Sequence, residues 1–210
     1  MSVPITAPDT RPPNTKRQWR RGIVAAILAL DPVERRRQES ALVDALSTLP
    51  GWARAGTVLL YVSAFPEEID TAPLLALAHA AGKRVVLPRV DRQERRLRLH
   101  LVTDPGQALV SGVLGIPEPA ATWPEAPPDL VDWALVPGVA FDECADRLGR
   151  GAGHYDRLLP TLRADALRWA LCFDCQIVPR LPVEPHDVPL DGVTAPGRTI
   201  LGLDRKSPTP

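Results

Sequence analysis

The chain has 210 residues, of which 45% are hydrophobic and 24% are charged, values typical of a soluble globular protein with one domain. Its 25 basic and 25 acidic residues cancel. This balance argues against a nucleic-acid or anionic-membrane partner, because both need a basic excess. There is no secretory signal, the apolar runs are far shorter than a membrane span, and three cysteines do not predict a disulfide framework. We therefore expect a cytoplasmic protein.

The N-terminal part predicts a tail and two helices. Residues 1–15 contain four prolines and predict a mobile tail. Residues 16–30 predict a helix that is basic at its start and apolar at its end. Asp31, followed by Pro32, is typical of the N-cap of a second helix. The apolar residues of that helix share one face up to Leu49.

A β-α-β unit is predicted next. Residues 57–62 form an apolar run typical of a strand covered on both faces, and residues 84–87 form another. The pattern of residues 71–81 between them predicts a helix. Residues 96–101 alternate strictly and predict a half-exposed strand at a sheet edge, with His100 on the solvent face.

The second half continues the alternation of strands and helices. Its predicted elements are a short helix from Asp104 and Pro105, a proline-rich loop over 115–129, a strand over 133–136, a helix containing 158–162, a strand over 167–172, and a proline-rich loop with two turns over 179–199. The whole order predicts an α/β fold, a single-domain three-layer α/β/α sandwich with a largely parallel sheet. The cleft is expected at the carboxyl ends of the strands.

One segment, residues 141–157, carries most of the chemistry. Gly149, Gly151 and Gly153 alternate just before a predicted helix, so the backbone amides there can form an anion nest. Three arginines flank the same loop: Arg147, Arg150 and Arg157. Asp156 adds a hard oxygen ligand suited to Mg²⁺. The spacing matches neither a Walker A loop nor a dinucleotide-binding glycine motif, and the glycines alone leave open a flexible surface turn with solvated arginines.

The motifs resemble those of the 5-formyltetrahydrofolate cyclo-ligase family, also called methenyltetrahydrofolate synthetases. Residues 137–142 and 147–157 together are similar to the family signature. Further matching positions follow in the right order: Lys16 and Arg20, Glu68 to Thr71, Gly115 to Pro119, Gln176 and Ile177, Leu181 and Pro182, His186 and Asp187, and Thr194. The resemblance covers residues 16–195, so residues 16–203 are expected to form the cyclo-ligase domain and 204–210 a second tail.

The resemblance implies an ATP- and Mg²⁺-dependent ring closure. Members of the family convert 5-formyltetrahydrofolate to 5,10-methenyltetrahydrofolate and release ADP and phosphate. Phosphorylation of the formyl oxygen gives an iminophosphate, from which phosphate leaves when the neighbouring amine attacks. Such a site needs amides, cations and Mg²⁺ rather than a protein nucleophile.

The resemblance also implies roles for individual residues. The ATP-binding set is Lys16, Arg20, Arg147, Leu148, Gly149, Arg150, Gly151, Ala152, Gly153, His154 and Tyr155. The folate-binding set is Glu68, Arg150, Gly151, Gly153 and His154. Arg147, Arg150 and Tyr155 are the expected catalytic residues. Asp156 and Asp187 are the expected Mg²⁺ ligands.

Three positions depart from the family pattern. Members usually have Gly at the position of Ala145 and Tyr at that of His154, and many have Lys or Gly at that of Ala152. Ala145 is tolerable unless its φ is positive, and His154 replaces a stacking phenol with a titratable ring. These departures leave an alternative open, a relative of the same fold that acts on another substrate or only binds folate or nucleotide.

Other conspicuous residues are expected to be structural. Cys172 and Cys175 lack the further ligands that zinc needs, and no neighbour marks Cys144 as a nucleophile. His79 and His100 are interpreted as surface residues. The arginine-rich stretches 35–37 and 89–98 lack the basic excess of a nucleic-acid-binding face. We expect a monomer with small-molecule substrates.

Overall fold

The computed structural model describes residues 15–104, 106 and 108–202. The predicted tails therefore lie outside the described residues, except for Thr15, which caps the first helix instead of belonging to a tail. Of the short helix predicted from Asp104 and Pro105, Pro105 lies outside as well. The described residues on either side of it, Asp104 and Gly106, belong to a turn in which Asp104 Oδ1 accepts a hydrogen bond from the Gly106 amide. No helix is present among them.

The first two helices begin at capping residues. Helix α1 (Lys16–Leu28) starts with a capping box, in which Thr15 and Gln18 each accept a hydrogen bond from the other's backbone amide. Helix α2 (Pro32–Leu46) starts at Asp31, whose Oδ1 accepts from the amides of Val33 and Glu34. The predicted Asp31 cap is confirmed. Both helices end where the sequence changes to turn residues.

A single large sheet organises the rest of the chain. The strands, in chain order, are β1 (Thr57–Leu59), β2 (Arg84–Asp91), β3 (Arg96–Leu101), β4 (Val110–Ser111), β5 (Pro117–Glu118), β6 (Glu125–Ala126), β7 (Trp133–Leu135), β8 (Ala140–Asp142), β9 (Arg147–Leu148), β10 (Leu167–Leu171), β11 (Ile177–Val178), β12 (Gly192–Ala195) and β13 (Arg198–Leu201). The large sheet has the order β13-β12-β10-β7-β1-β2-β3-β6. Its five central strands are parallel and its outer pairs antiparallel.

The predicted β-α-β unit is confirmed. Strands β1 and β2 pair in parallel, with Val58 opposite Val85, and helix α3 (Ala72–Ala80) joins them. Strand β2 runs four residues further than expected, because β3 pairs with it up to Asp91. The β2–β3 hairpin therefore projects beyond the sheet's carboxyl edge.

Alternate residues of the central strands pack on opposite layers. Val58 and Leu135 face α1, α2 and α3, whereas Leu59 and Ala134 face helix α4 (His154–Leu158). This is the three-layer arrangement that the sequence predicts. Within the described residues, no helix combines the length and apolarity needed to cross a bilayer.

The strand order creates a crevice between β1 and β7. The chain leaves β1 through α3 toward β2 on one side, and later returns to β7 on the other side of β1. Helix α3 lies on one face of the sheet and α4 on the other. In open α/β sheets, ligands bind at such a switch point, outside the carboxyl ends of the strands. Residues 60–71 and 136–153, which follow β1 and β7, border this crevice.

Two predictions about exposed segments were wrong. Strand β3 is not at the edge, because the short strand β6 pairs outside it. His100 is consequently buried, at 3% exposure, and its Nδ1 lies 3.0 Å from the Trp123 carbonyl. The loop predicted over 179–199 contains strand β12 and the start of β13, an antiparallel hairpin that closes the other edge.

The helix predicted around residues 158–162 is shorter and earlier than expected. Helix α4 ends at Leu158, and Leu159–Thr161 forms a turn of 3₁₀ helix. Pro160 explains the change, because proline has no amide hydrogen to continue the α-helical ladder.

Candidate active site

The glycine-rich loop, residues 149–153, connects β9 to α4 at the crevice. Gly151 has φ +104° and Gly153 has φ +65°, left-handed values that favour glycine. A Cβ on Gly153 would lie 2.9 Å from Nη1 of Arg157, so the Arg157 side chain would have to shift, and the positive φ is the stronger reason for glycine. Helix α4 has only five residues, so its dipole contributes less than the sequence suggests. The amides and arginines must supply most of the positive potential.

Asp142 orders the turn that precedes this loop. Its carboxylate is completely buried and accepts three backbone hydrogen bonds. Oδ1 accepts from the amides of Cys144 and Asp146 at 2.9 and 3.0 Å, and Oδ2 accepts from that of Leu181 at 3.0 Å. The turn between them places Ala145 at φ +59°, in the left-handed region. The φ of Ala145 is therefore positive, the one case in which alanine is unfavourable here. Its side chain is buried and its backbone is strained.

Helix α1 brings two cations to the crevice. Arg20 Nε donates to the Gly149 carbonyl at 2.7 Å, and its guanidinium lies beside Gly151. Lys16 Nζ lies 2.6 Å from Asp187 Oδ2 and 2.5 Å from Glu184 Oε2. Burial acts to lower the pKa of Lys16, but its hydrogen bonds to these two carboxylates outweigh burial and raise the pKa. Lys16 therefore stays charged at neutral pH.

Arg147 lies beneath the loop as a buried cation. Its side chain is 4% exposed, and Nη2 donates to Asp156 Oδ1 at 2.6 Å. Its guanidinium lies 5.9 Å from the centre of the Tyr155 ring. Arg147 Nε and the Tyr155 hydroxyl are both buried without a hydrogen-bond partner among the described residues. Burial raises the pKa of the Tyr155 phenol, so it stays protonated and able to donate. Unpaired buried donors at a crevice are typical of a ligand-binding site.

The loop after β1 supplies a carboxylate opposite the glycine-rich loop. Glu68 Oε2 accepts from the backbone amides of Ala64 and Phe65, at 2.8 and 3.3 Å. Glu68 Oε1 lies 3.4 Å from Arg150 Nη2. The structure thus brings Glu68 and Arg150 together across the crevice, although 82 residues separate them in the sequence.

The two predicted metal ligands lie on adjoining segments. Asp156 Oδ1 accepts from the amide of Val188, at 3.3 Å, so Asp156 adjoins the segment that carries Asp187. Burial alone would raise the pKa of Asp187, but the hydrogen bonds from Lys16 and the Glu184 amide lower it. Glu184, His186 and Asp187 have ligand atoms within 4.8 Å of one another. The two carboxylates of this set, Glu184 and Asp187, are hard oxygen ligands of the kind that Mg²⁺ prefers, whereas His186 would offer a nitrogen.

His154 and Ala152 lie on the side of the loop that faces the β2–β3 hairpin. Arg157 Nη2 lies 3.2 Å from His154 Nδ1 and donates to the Ala152 carbonyl at 3.0 Å. Arg157 also donates twice to the carbonyl of Arg95, at the hairpin tip. Burial and the charge of Arg157 lower the pKa of His154. At neutral pH its imidazole is therefore mainly uncharged.

Sequence reasoning missed two acidic residues of the crevice. Glu67 Oε1 lies 2.9 Å from Arg150 Nη2, closer than Glu68, and Glu184 shares Lys16 with Asp187. The adjacent pair Glu67-Glu68 was a visible signal, but only Glu68 matched the motif. Glu184 stands in a proline-rich stretch with no pattern that would have marked it.

The cysteines are all free thiols in the structure. Cys172 is fully buried, and burial raises its pKa well above the ordinary value, so it is a poor nucleophile. Cys175 is half-buried, and burial raises its pKa as well. Cys144 Sγ accepts a hydrogen bond from Arg180 at 2.7 Å.

The fold and this site define an α/β protein with a basic glycine-rich loop and facing carboxylates at the switch point of a mainly parallel sheet. Residues 12–196 match the model of the 5-formyltetrahydrofolate cyclo-ligase family. The chain belongs to this family.

Individual relatives agree with this assignment. A 5-formyltetrahydrofolate cyclo-ligase of Escherichia coli K12 is 36% identical over 174 residues, which are 81% of this chain and 94% of the relative. One of Mycolicibacterium smegmatis is 34% identical over 195 residues, 91% of this chain and 98% of the relative. The solution structure of the Aquifex aeolicus 5,10-methenyltetrahydrofolate synthetase superposes with a TM-score of 0.78 at 31% identity, covering 92% of this chain and 96% of that one.

Proposed function

We propose that this protein is an ATP- and Mg²⁺-dependent enzyme that converts 5-formyltetrahydrofolate to 5,10-methenyltetrahydrofolate, with release of ADP and phosphate. The main geometric support for the proposal is that the glycine-rich loop, Arg20 and the Arg150–Glu68 pair lie at one crevice. Family membership supplies the substrate class. Arginines, amides and a facing carboxylate suit a reaction between a phosphoryl group and a polar heterocycle.

The chemical problem is that the formyl oxygen is a poor leaving group. In the first step this oxygen attacks the γ-phosphorus of ATP, an O–P bond forms, and the bond to the ADP oxygen breaks. In the second step the lone pair of N10 attacks the formyl carbon of the iminophosphate. The carbon–oxygen bond then breaks with its electron pair, phosphate leaves, and N10 loses its proton. The atoms balance without a covalent bond to the protein.

The ATP side of the crevice is assigned to the glycine-rich loop and α1. The loop amides would donate hydrogen bonds to the phosphate oxygens, and Arg20 is already fixed beside the loop by its hydrogen bond to the Gly149 carbonyl. Lys16 would exchange its carboxylate partners for phosphate. The Arg147 guanidinium would lie beneath the transferred group and support the Tyr155 ring. Its ion pair with Asp156 fixes the guanidinium in this position.

The folate side is assigned to Glu68. A pterin edge offers adjacent N–H donors, and a carboxylate can accept both in a paired arrangement. Two backbone amides hold Glu68 Oε2 and thereby fix the carboxylate, so Oε1 is the oxygen that would accept from the pterin. Arg150 lies next to it, where the formyl oxygen must meet the γ-phosphate.

Asp156 and Asp187 are the residues that would hold Mg²⁺, with Glu184 as a neighbouring carboxylate. The ligand atoms of Asp187 and Glu184 lie within 4.8 Å of each other, and Asp156 adjoins this segment through its hydrogen bond from the Val188 amide. When bound, Mg²⁺ neutralises charge on the phosphates. Among the protein's own groups, the hydrogen bonds from Lys16 and the Glu184 amide lower the pKa of Asp187, which favours its ionised form.

An oxygen-label experiment tests the proposed route. Substrate labelled with ¹⁸O in the formyl group is incubated with ATP and Mg²⁺, and the released phosphate is analysed by mass spectrometry. We expect one labelled oxygen in each phosphate. Methenyl product with unlabelled phosphate would contradict the iminophosphate. Binding of either ligand without product would instead support the alternative, a relative that only binds folate or nucleotide.

A further inference from the structure

Two adjacent carboxylates share one arginine at the crevice. Arg150 Nη2 lies 2.9 Å from Glu67 Oε1 and 3.4 Å from Glu68 Oε1. The two glutamate side chains are only 12% and 15% exposed, whereas that of Arg150 is 38% exposed. The guanidinium also stacks over the Phe65 ring, 3.7 Å from its centre. Arg150 therefore links the glycine-rich loop to the acidic loop.

The acidic loop, residues 63–71, is itself held rigidly. From helix α2, Arg35 donates to the carbonyls of Pro66 and Glu68, at 2.7 and 2.5 Å. Within the loop, Thr71 Oγ1 accepts from the Ser63 amide at 2.8 Å. These bonds fix the backbone on both sides of Glu67. Its carboxylate is thus presented at a defined place, and the contact with Arg150 is not that of a mobile surface side chain.

The two glutamates differ in what else they contact. Glu68 Oε2 is anchored by the amides of Ala64 and Phe65, so its second oxygen is the one that faces Arg150. Among the residues that the structure describes, the ion pair with Arg150 is the polar contact that the Glu67 side chain makes. Under the proposed function, the pterin would bind Glu68 and compete with Arg150 for it. With Glu68 as its sole partner, Arg150 would lose its anchor at the moment when its charge is needed.

We infer that Glu67 is a positioning residue, which keeps Arg150 at the crevice when folate occupies Glu68. This inference rests on the proposed function. Glu67 acts through Arg150 and needs no contact with the reacting atoms. Its removal leaves Arg150 and the substrate to compete for Glu68, which weakens folate binding and slows phosphoryl transfer together.

The test compares Glu67→Gln with wild type in two measurements. The first is the Kd for 5-formyltetrahydrofolate by calorimetry without ATP, and the second is kcat. Gln keeps the shape of Glu67 but removes its charge. Because Arg150 loses the ion pair with its nearer carboxylate, we expect Kd to rise and kcat to fall by roughly tenfold each. The matched control is Glu125→Gln, which removes an exposed carboxylate 3.1 Å from Arg98 and should change neither value.

A double-mutant cycle separates positioning from general packing. In an Arg150→Ala background, Glu67→Gln should have no further effect on Kd or kcat, because its partner is gone. A full additional loss in that background, or wild-type values for the single variant, would overturn the inference. Absence of methenyl product with wild-type protein would overturn the proposed function instead. The two failures are therefore distinguishable.

Discussion

Ala145 is a strained residue in the turn between β8 and β9. Its φ of +59° is stabilised by the turn around Asp142, and its carbonyl accepts from the Leu190 amide at 3.0 Å. A left-handed backbone costs an alanine about 1–2 kcal/mol. Its methyl group is fully buried, and burial of one such group returns roughly 0.8 kcal/mol. Burial of the methyl group therefore offsets only part of the strain, and the net cost of alanine at this position is about 1 kcal/mol or less.

We predict that two substitutions at this position change the free energy of unfolding by very different amounts. Ala145→Gly should change the free energy of unfolding by less than about 1 kcal/mol, because relief of strain is offset by the lost methyl group and by glycine's entropy. Ala145→Val should destabilise the fold by about 2–4 kcal/mol, because a β-branched side chain would overpack the buried site and disfavours a left-handed backbone. Urea unfolding monitored by tryptophan fluorescence measures both values. A neutral Ala145→Val variant would contradict the left-handed geometry.

His154 predicts a pH dependence of stability with a definite sign. Burial and Arg157 lower its pKa in the folded state, so the unfolded chain binds this proton more readily. Its contribution to stability is therefore complete above about pH 6.5, the unfolded value, and is lost as the pH falls through the folded pKa. The side chain is only partly buried, so the effect is small. Unfolding of wild type and His154→Gln at pH 7.5 and 5.5 measures it. Wild type should lose more stability on acidification, and equal losses would remove His154 from this account.

At the scale of elements, the turn between β8 and β9 depends on one buried carboxylate. Asp142 accepts three backbone hydrogen bonds, two from its own turn and one from Leu181. The turn fixes the start of β9 and thus the position of the glycine-rich loop. A buried acceptor of this kind contributes more than a surface ion pair does, because its loss leaves amides without partners.

Asp142→Asn should therefore destabilise the protein by about 1–3 kcal/mol, since the new amide group turns a donor toward backbone donors. The matched control is Asp104→Asn, which alters an exposed aspartate with one backbone hydrogen bond, to Gly106, and should be nearly neutral. Thermal and urea unfolding of both variants provide the comparison. Equal stability of the two variants would show that the turn does not need the buried charge.

Local signals predicted the elements whose cause is local. The Asp31 cap needs only its own next residues, and the β-α-β unit follows from apolar runs and one helical pattern. The burial of His100 depends instead on strand β6, which pairs from 25 residues away and consists of only two residues. The hairpin of β12 and β13 was not predicted, because it contains Gly192, Pro196 and Gly197, which are typical of loops. A sheet edge can use such residues because a tight turn joins its two strands.

The features of the candidate site also separate into those that a local motif predicted and those that depend on distant segments. Its glycine-rich loop stands in one continuous motif, and Lys16, Arg20 and Glu68 matched the family pattern. The pairing of Arg150 with Glu67 could not be predicted, because nothing in the spacing shows which of two adjacent glutamates faces the loop. The role of Arg35 was hidden in an arginine run that looks like a solvated face. Its guanidinium instead donates to two loop carbonyls and stacks on Phe173.

At the scale of the whole molecule, the crevice joins segments from both ends of the chain. Lys16 pairs with Asp187, Arg20 with Gly149, and Arg150 with Glu67. Helix α1, the acidic loop, the glycine-rich loop and the segment around Asp187 therefore form one site only when the sheet is complete. This dependence explains why the family match extends over residues 12–196 and is not confined to the glycine-rich loop.

Formation of the methenyl product tests the central claim most directly. Purified protein is mixed with 5-formyltetrahydrofolate, and the absorbance of 5,10-methenyltetrahydrofolate is followed with ATP and Mg²⁺ together and with each omitted. Asp156→Asn, which removes the charge that holds Arg147, is measured in parallel. The account predicts product only in the complete mixture, in a one-to-one ratio with ADP, and a collapse of turnover for a folded Asp156→Asn protein. Product at an equal rate without ATP, or no product in the complete mixture, would contradict it.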